Sequence, residues 1–367
     1  YSPFRSVLLR EWRRMTSRRL YFGVCIVLPL FTLFFMATIF GNGQMENIPV
    51  GIVDQDQSAL SRELTRQVEA VPTFRVTHHY ADAETARKAT QAKEIYGYLV
   101  IPNRFEEDVT GGRQATLSYY YHYALLSVGG EVRGAFESLL RTFSMAPIVV
   151  QATAMGISQK EVSTFLVPIR AQNHPLFNPD LDYSVYLSQP FFFVLFQVLI
   201  LLTTVYTVGI EIKFRTATDW LATAKGNMIT AVLGKLLPYT FIYILIGWLG
   251  NYVMFGILHI PFQGSWWLIN MITVLFVIAT QALGLFIFSL FPAVSLVISV
   301  VSMVGSLGAT LSGVTFPVSN MYPLVRDASY LFPVRHFTEM IQTMLYGGDG
   351  FIYLWPSMVI LCIFPLL

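Results

Sequence analysis

A short charged stretch from Glu211 to Lys235 lies between two long apolar regions and carries the residues best suited to contacting a partner protein. Beyond it, no Asp, Glu, Lys or Arg occurs until Arg326. Glu211 ends an apolar helix pattern, where neither the helix dipole nor lipid favours an acidic residue, so it needs a partner. We expect that partner to be Lys213, Arg215 or a basic residue near the amino terminus. An ordinary solvated side chain is the alternative.

The same stretch predicts a small helix at the membrane surface. Thr216 and Asp219 have the spacing of a capping box, and Gly226 is placed to end the helix. Trp220 and Leu221 form an apolar ridge, which is suited to a groove on another protein. A tryptophan lying among lipid headgroups is the alternative interpretation of Trp220.

Two other candidate sites lack the residues that their chemistry needs. Gly234-Lys235 has Ile229 where a phosphate-binding loop requires Gly, so we interpret Lys235 as a lysine that snorkels to the membrane interface. His78 and His79 are adjacent in a strand pattern and point to opposite faces, which argues against a metal site. We therefore predict no catalytic, metal or cofactor site in this chain.

The composition indicates a membrane protein. The 367-residue chain is 54% hydrophobic and only 13% charged, which is too apolar for a soluble protein. Its net charge of +2 does not indicate nucleic-acid binding, because the basic residues cluster beside apolar segments, as the positive-inside rule requires. Cys25 and Cys362 both fall in predicted spans, so no disulfide framework is expected.

Residues 1–19 predict a cytoplasmic amphipathic helix lying at the membrane interface. Its apolar stripe consists of Phe4, Val7, Leu8, Trp12 and Met15. Its functional candidates are Arg10, Trp12, Arg13 and Arg14. Both an anchor for the next span and a docking role fit this pattern. Residues 20–41 form the first predicted span, and the arginines before it place the amino terminus in the cytoplasm.

Residues 42–190 predict an extracytoplasmic α/β domain followed by a connector. Strand patterns at 48–53, 73–77, 96–101 and 115–122 alternate with helix patterns, which is typical of a small α/β fold. A longer helix from about 126 to 155 leads back towards the bilayer. A proline-rich connector, 168–190, completes the return.

Residues 191–367 predict spans two to six, with the cytoplasmic coupling loop at 211–235 and an outer re-entrant hairpin at 314–350. Six spans place both termini inside. The fifth span is rich in small and hydroxyl residues that let helices approach closely. The candidates for packing the pathway or a dimer are Ser299, Ser302, Gly305 and Ser306.

The hairpin contains one candidate ion pair. Arg335 and Glu339 are spaced i, i+4 on a helix pattern, so they can neutralise each other in a poorly solvated setting. Together with Pro317, they are candidates for an outer gate. A pair at the headgroup boundary, without a gating role, is the alternative.

This order of elements resembles the permease subunit of a type-2 ABC exporter, and the resemblance covers essentially the whole chain. Arg215 departs from the pattern, because many relatives have Gly there, and so does Ala224, where Pro is common. The residues that match locally are Asn178-Pro179, Glu211, Thr216, Leu221, Gly234-Lys235-Leu236-Leu237-Pro238, Phe316-Pro317, Pro323 and Pro333.

The resemblance implies a permease that pairs with a second copy or close relative and sits on two separate ATP-binding subunits. ATP and Mg would bind those subunits, and this chain would bind no cofactor. The helix around Trp220 would be the coupling helix. Membrane lipid and a periplasmic adaptor are further expected partners. The expected location is the bacterial cytoplasmic, or inner, membrane.

The expected cargo is hydrophobic or amphipathic, such as a drug, a lipid or a lipid-linked molecule. The span interiors contain no charged residue, which argues against ion coupling. A membrane-anchored receptor or scaffold whose external domain binds a partner is the main alternative. An intramembrane enzyme is disfavoured, because the histidines near spans, His259 and His336, lie at their edges.

Overall fold

The computed structural model of the chain describes residues 2–39, 45–154, 182, 184–347 and 351–366. The chain divides into two compact units: Tyr1–Gly43 with Pro175–Leu367, and Gln44–His174. We refer to them as the membrane unit and the sheet unit. Most of the predicted connector 168–190 lies outside the described residues, as do Asn178 and Pro179.

Five of the described helices in the membrane unit are long and apolar enough to cross a bilayer, which supports a polytopic membrane protein. A shorter helix, α1, precedes them at Pro3–Ser17. The five helices are α2 (Arg19–Ile39), α7 (Ser184–Lys213), α9 (Met228–Ile257), α10 (Trp266–Leu290) and α11 (Val294–Leu311).

The loop between α7 and α9 is shorter than the predicted 211–235. The third span begins at Met228, because the Asn227 side chain caps it by accepting a hydrogen bond from the Thr230 amide at 3.0 Å. Within the loop lies the short helix α8 (Ala217–Thr223). It ends before Lys225 and Gly226, which adopt φ of 55° and 78°. Gly226 thus lies just beyond the end of the predicted helix.

The hairpin region is helical and interrupted by prolines. It contains α12 (Pro323–Ser329) and α13 (Pro333–Gly347), and a proline begins each of them. The last described helix, α14 (Phe351–Leu366), is apolar but shorter than the five spans. The predicted count of six spans therefore stays a prediction.

The sheet unit contains a four-stranded mixed sheet with strand order β2-β1-β3-β4. Strand β1 pairs parallel with β2 and β3, and β4 pairs antiparallel with β3. The strands are β1 (Ile48–Asp54), β2 (Phe74–His79), β3 (Gly97–Ile101) and β4 (Ser118–Tyr121). The helices are α3 (Ala59–Glu69), α4 (Ala83–Gln91), α5 (Phe105–Thr110) and α6 (Leu126–Ala154).

Alternation along β1 separates two apolar layers. Val50 and Ile52 pack with residues of α3 and α6, whereas Val53 packs with Ala86 and Ala89 of α4 on the other face. Helices therefore cover both faces of the sheet, and the strands are apolar on both sides.

Hydrogen bonds join the loop after β1 to the start of α5. The Asp56 carboxylate accepts hydrogen bonds from the amides of Phe105 and Glu106 at 3.0 and 3.1 Å. Burial raises the pKa of Asp56, but hydrogen bonds from Ser58 and from the α5 amides outweigh burial and hold the pKa below its ordinary value. Helix α5 was absent from the sequence prediction, since only six residues form it.

Gly305 was predicted to pack the pathway or a dimer, but it packs α11 against α7 of the same chain. Gly305 is buried within the chain, and a Cβ at this position would lie 2.8 Å from Val198 Cγ2 of α7. Gly305 therefore packs α11 against its own chain, whereas Ser299, Ser302 and Ser306 are exposed. The three serine hydroxyls donate to carbonyls one turn earlier in the same helix.

Replacing Gly305 with valine should separate α11 from α7 and destabilise the chain by about 1–3 kcal/mol, because the added side chain has no space. Ser306→Val is the matched control, since it adds a similar side chain to the exposed side of the same helix. The measurement is the thermal unfolding midpoint in detergent. Equal midpoints for the two variants would contradict this assignment of faces.

Candidate functional site

Helix α1 packs along α9, beside the loop that contains α8. Its buried residues are Val7, Glu11 and Met15, which recur every four positions on one face. The predicted apolar stripe is therefore partly wrong: Phe4 is 39% exposed, Trp12 is 45% exposed, and Glu11 lies on the buried side. Arg13 is also exposed.

Glu211 is fully buried and pairs with α1. Arg10 donates two parallel hydrogen bonds of 3.0 Å to its two carboxylate oxygens, and Arg14 donates a third. Of the three partners expected from the sequence, the structure shows the amino-terminal helix. Lys213 and Arg215 are exposed instead.

A second carboxylate belongs to the same cluster. Lys235 Nζ lies 2.6 Å from Glu11 Oε2 and 2.8 Å from Glu211 Oε1, so one ammonium group bridges the two acids. The Tyr239 hydroxyl donates to Glu11 Oε1 at 2.7 Å. Lys235 is fully buried, so its interpretation as a snorkelling lysine is wrong: its charge stays inside because two carboxylates balance it.

The buried charge cluster, defined as Arg10, Glu11, Arg14, Glu211 and Lys235, contains three cations and two carboxylates. Burial alone would lower the pKa of Arg14, but Glu211 and Glu11 hold it above its ordinary value. Burying such charges is costly, and the cost is offset only when each group is paired and hydrogen-bonded. The cluster therefore requires α1, α7 and α9 to stay together.

The turn into α8 also depends on Glu211. The Thr216 side chain makes no cap hydrogen bond to α8, so the predicted capping box with Asp219 is wrong. Its hydroxyl donates to the Glu211 carboxylate instead, and its amide donates to the Glu211 carbonyl at 2.8 Å. Arg215 adopts φ of 57°, a left-handed conformation that favours glycine. This conformation gives a physical reason for the glycine that the resemblance to type-2 ABC permeases leads us to expect there.

Trp220 is buried within its own chain, which overturns its prediction as an exposed anchor. Its indole Nε1 donates to the Ala231 carbonyl at 3.2 Å, and Lys235 Nζ lies 5.3 Å from the ring centroid. The tryptophan therefore attaches α8 to α9. Leu221 is half-buried, and Asp219 is exposed.

Other residues of the loop, together with Ile229 in the first turn of α9, are available to a partner. We define the loop surface as the exposed residues Phe214, Thr218, Asp219, Lys225 and Ile229. Beside it lies an apolar cavity of about 480 Å³. Its walls include Val208, Ile212, Leu221, Met228, Leu285 and Phe288.

The ion pair that was predicted for the hairpin, between Arg335 and Glu339, is present in α13. Arg335 donates to Glu339 at 3.1 Å and lies 4.0 Å over the Tyr330 ring. Ser357 of α14 donates to the same carboxylate at 2.9 Å. Arg335 is buried, while Glu339 is exposed. Pro317 is exposed in the segment before α12.

Sequence reasoning missed Glu11, Lys235 and Tyr239. One signal was available for Glu11: it is the only acidic residue among the first 19, and it lies four positions from both Val7 and Met15. An acid placed between apolar residues on a helix face indicates a buried partner. No local pattern identifies that partner, because Lys235 is 224 residues away.

Comparisons with known proteins identify relatives across most of the chain. Residues 19–367 match the family described as ABC-2 family transporter protein. The chain is 24% identical over 353 residues to the probable multidrug ABC transporter permease YbhS of Escherichia coli strain K12, covering 94% of this chain and 89% of the relative. It is 23% identical over 340 residues to the inner membrane transport permease YhhJ of the same strain, covering 87% and 82%.

Lys235→Met should destabilise the chain by about 3–5 kcal/mol, because it leaves the Glu11 carboxylate buried without its closest cation. The double variant Lys235→Met with Glu11→Gln should recover part of this loss, since both charges are then removed. Unfolding midpoints in detergent measure both effects.

Lys213→Met is the matched control for the lysine, because Lys213 is exposed and two residues from Glu211. It should leave the midpoint nearly unchanged. A double variant whose loss equals the sum of the two single losses would contradict a direct pairing of Lys235 with Glu11.

Proposed function

The chain belongs to the ABC-2 family of transporter proteins, and we propose that it is the permease subunit of an ATP-driven exporter. A transport permease role follows from the family and from relatives named as permeases. In our proposal ATP and Mg bind two separate subunits, and the loop between α7 and α9 transmits their movement to the membrane unit.

The buried charge cluster is the observation that supports this coupling. Glu211 lies in the last turn of α7, Lys235 belongs to α9, and Arg10, Glu11 and Arg14 belong to α1. Trp220 attaches α8 to α9 from the other side of the loop. Force applied to α8 therefore reaches two spans through short, buried contacts rather than through a flexible linker.

The proposed docking site for the ATP-binding subunit is the loop surface, not Trp220. Phe214 is 57% exposed and Ile229 is 71% exposed, so the loop presents apolar side chains to the outside. Asp219 and Lys225 flank them with opposite charges. Apolar anchors with a charged rim are typical of protein interfaces.

We further propose that two copies, or this chain and a close relative, form the pathway. Helix α11 is mostly exposed and presents Ser299, Ser302 and Ser306 on its outer side. Small hydroxyl residues let a second helix approach closely in a membrane. Because the relative YbhS is named a probable multidrug permease, and because α11 carries no charge, we propose a hydrophobic or amphipathic substrate such as a drug, a lipid or a lipid-linked molecule.

The proposed orientation places the buried charge cluster at the cytoplasmic side of the bacterial inner membrane. The arginines near the first span favour that side. Both chain termini would then be cytoplasmic, and the sheet unit would lie outside the cytoplasm, where a periplasmic adaptor is a further proposed partner. The proposal rests on charge distribution and on the relative named an inner membrane permease.

Phe214→Ala combined with Asp219→Arg should reduce recovery of the ATP-binding subunit by about tenfold or more, because the pair removes an apolar anchor and reverses a charge. The measurement is purification of the tagged chain from its native membrane, followed by identification of co-purified subunits and an ATPase assay.

Tyr322→Ala is the control for this experiment, since Tyr322 is 74% exposed in the hairpin region. Its recovery of ATPase should equal that of the wild type. A well-folded wild-type chain that recovers no ATPase would overturn the exporter proposal and favour the receptor or scaffold alternative. Recovery that is unchanged in the loop variant would overturn the docking site alone.

We propose Arg335 and Glu339, with Pro317, as parts of an outer gate. Exchanging the two charges should alter transport and basal ATPase activity, because Arg335 is buried over Tyr330 whereas Glu339 is exposed. The control is the same exchange at Arg326 and Asp327, an exposed pair 3.6 Å apart in α12. Unchanged transport and unchanged ATPase activity after the first exchange would eliminate the gate.

A further inference from the structure

An apolar cavity of about 260 Å³ opens between α2 and α7. Residues of both helices line it over the first two to three turns of α2, and Ile298 of α11 closes one side. From Leu20 to Leu28 the wall extends about 12 Å along the helix axis. The principal wall residues are Leu20, Tyr21, Val24, Leu28, Leu202 and Tyr206.

Helix α2 changes its geometry at this cavity. Gly23–Val27 form a π-helical turn, and Val24 and Cys25 within it line the cavity. Wide turns of this kind are rare and are found often at functional sites. The wide turn therefore coincides with a cavity on the surface of a span.

The accessible surface of the cavity wall is apolar, because the polar groups of its residues, including the Tyr21 hydroxyl, do not reach it. Tyr21 is 2% exposed, and its hydroxyl is buried without a hydrogen bond to another described residue. A wall without polar surface suits the acyl chain of a lipid.

Positive charge lies directly before the cavity in the chain. Arg18 and Arg19 precede Leu20 and Tyr21, and both arginine side chains are exposed. Within the described part of α1, Arg10 and Arg14 form ion pairs instead. Arg18 and Arg19 thus lie at the interface, one turn or less from the cavity wall, where a lipid phosphate would lie.

We propose that this cavity binds one anionic phospholipid from the leaflet next to α1. One acyl chain occupies the cavity along α2, and Arg18 and Arg19 bind the phosphate. The lipid would fill the space between α2 and α7 and hold the first span against the bundle. This proposal depends on no step of ATP-driven transport.

The test uses the complete purified chain and its co-purified subunits, titrated with long-chain phosphatidylglycerol and followed by native mass spectrometry. We expect one tightly retained lipid per chain. Arg18→Gln with Arg19→Gln should weaken this binding by about tenfold or more. Leu202→Phe, which fills the cavity, should also weaken it, whereas Leu249→Phe at an exposed position of α9 should not.

Arg13→Gln is the matched control for charge, because Arg13 is an exposed arginine of α1 outside the cavity wall. It should change the affinity little. Three results would overturn the proposal: equal weakening by Arg13→Gln, equal affinity for phosphatidylcholine, or equal affinity for a short-chain phosphatidylglycerol that cannot fill the cavity. Equal unfolding midpoints of the arginine variants and the wild type ensure that a loss of binding is not a loss of fold.

Discussion

Carboxylates removed from water must be matched by nearby cations, and this requirement determines one end of the membrane unit. Glu11 and Glu211 lie on different helices, and Lys235 of a third helix bridges them. If α1 moved away, Glu11 would leave and Lys235 would retain only one carboxylate. Separating any one of the three helices from the others would therefore leave a charge of the cluster without a partner. An amphipathic helix that only rested on the bilayer would carry no such constraint.

The same carboxylate also fixes the loop. Glu211 accepts from Arg10 and Arg14 on one side and from Thr216 on the other. The turn that follows needs a left-handed residue at Arg215, and α8 then returns so that Trp220 packs against α9. Small shifts of α8 would disturb hydrogen bonds to a fully buried charge. This is why the short helix behaves as part of the bundle, although it contains only seven residues.

Much of this architecture could be predicted from the sequence, because apolar length and charge distribution are local signals. The spans, the strand pattern of 48–121 and the pairing of Arg335 with Glu339 all follow from spacing within a short window. The need of Glu211 for a partner followed from its position at the end of an apolar helix. The direction of Trp220 did not follow, because an apolar side chain can pack equally well against its own chain or against a partner.

Lys235 shows why local sequence patterns cannot predict every buried charge. A lysine near the end of a span ordinarily extends to water, and only a carboxylate 224 residues earlier in the chain keeps it inside. Hydrophobic periodicity also included the exposed Trp12 in the apolar stripe of α1 and did not include the buried Glu11. In both cases the deciding contact is between distant residues of unlike charge, which no local pattern contains.

Helix α7 connects the buried charge cluster with the hairpin helix α13. Most of it is buried, whereas α2 and α11 are mostly exposed. Its Glu211 belongs to the buried charge cluster, and its Gln197 accepts from the amide of Val334 in α13 at 2.9 Å. These positions are about 21 Å apart along a continuous helix. A helix held by polar contacts at both positions can transmit displacement along its axis, because bending it would break one set of contacts. The loop and the hairpin are therefore linked through one span, while the exposed spans α2 and α11 remain available to lipid and to a second subunit.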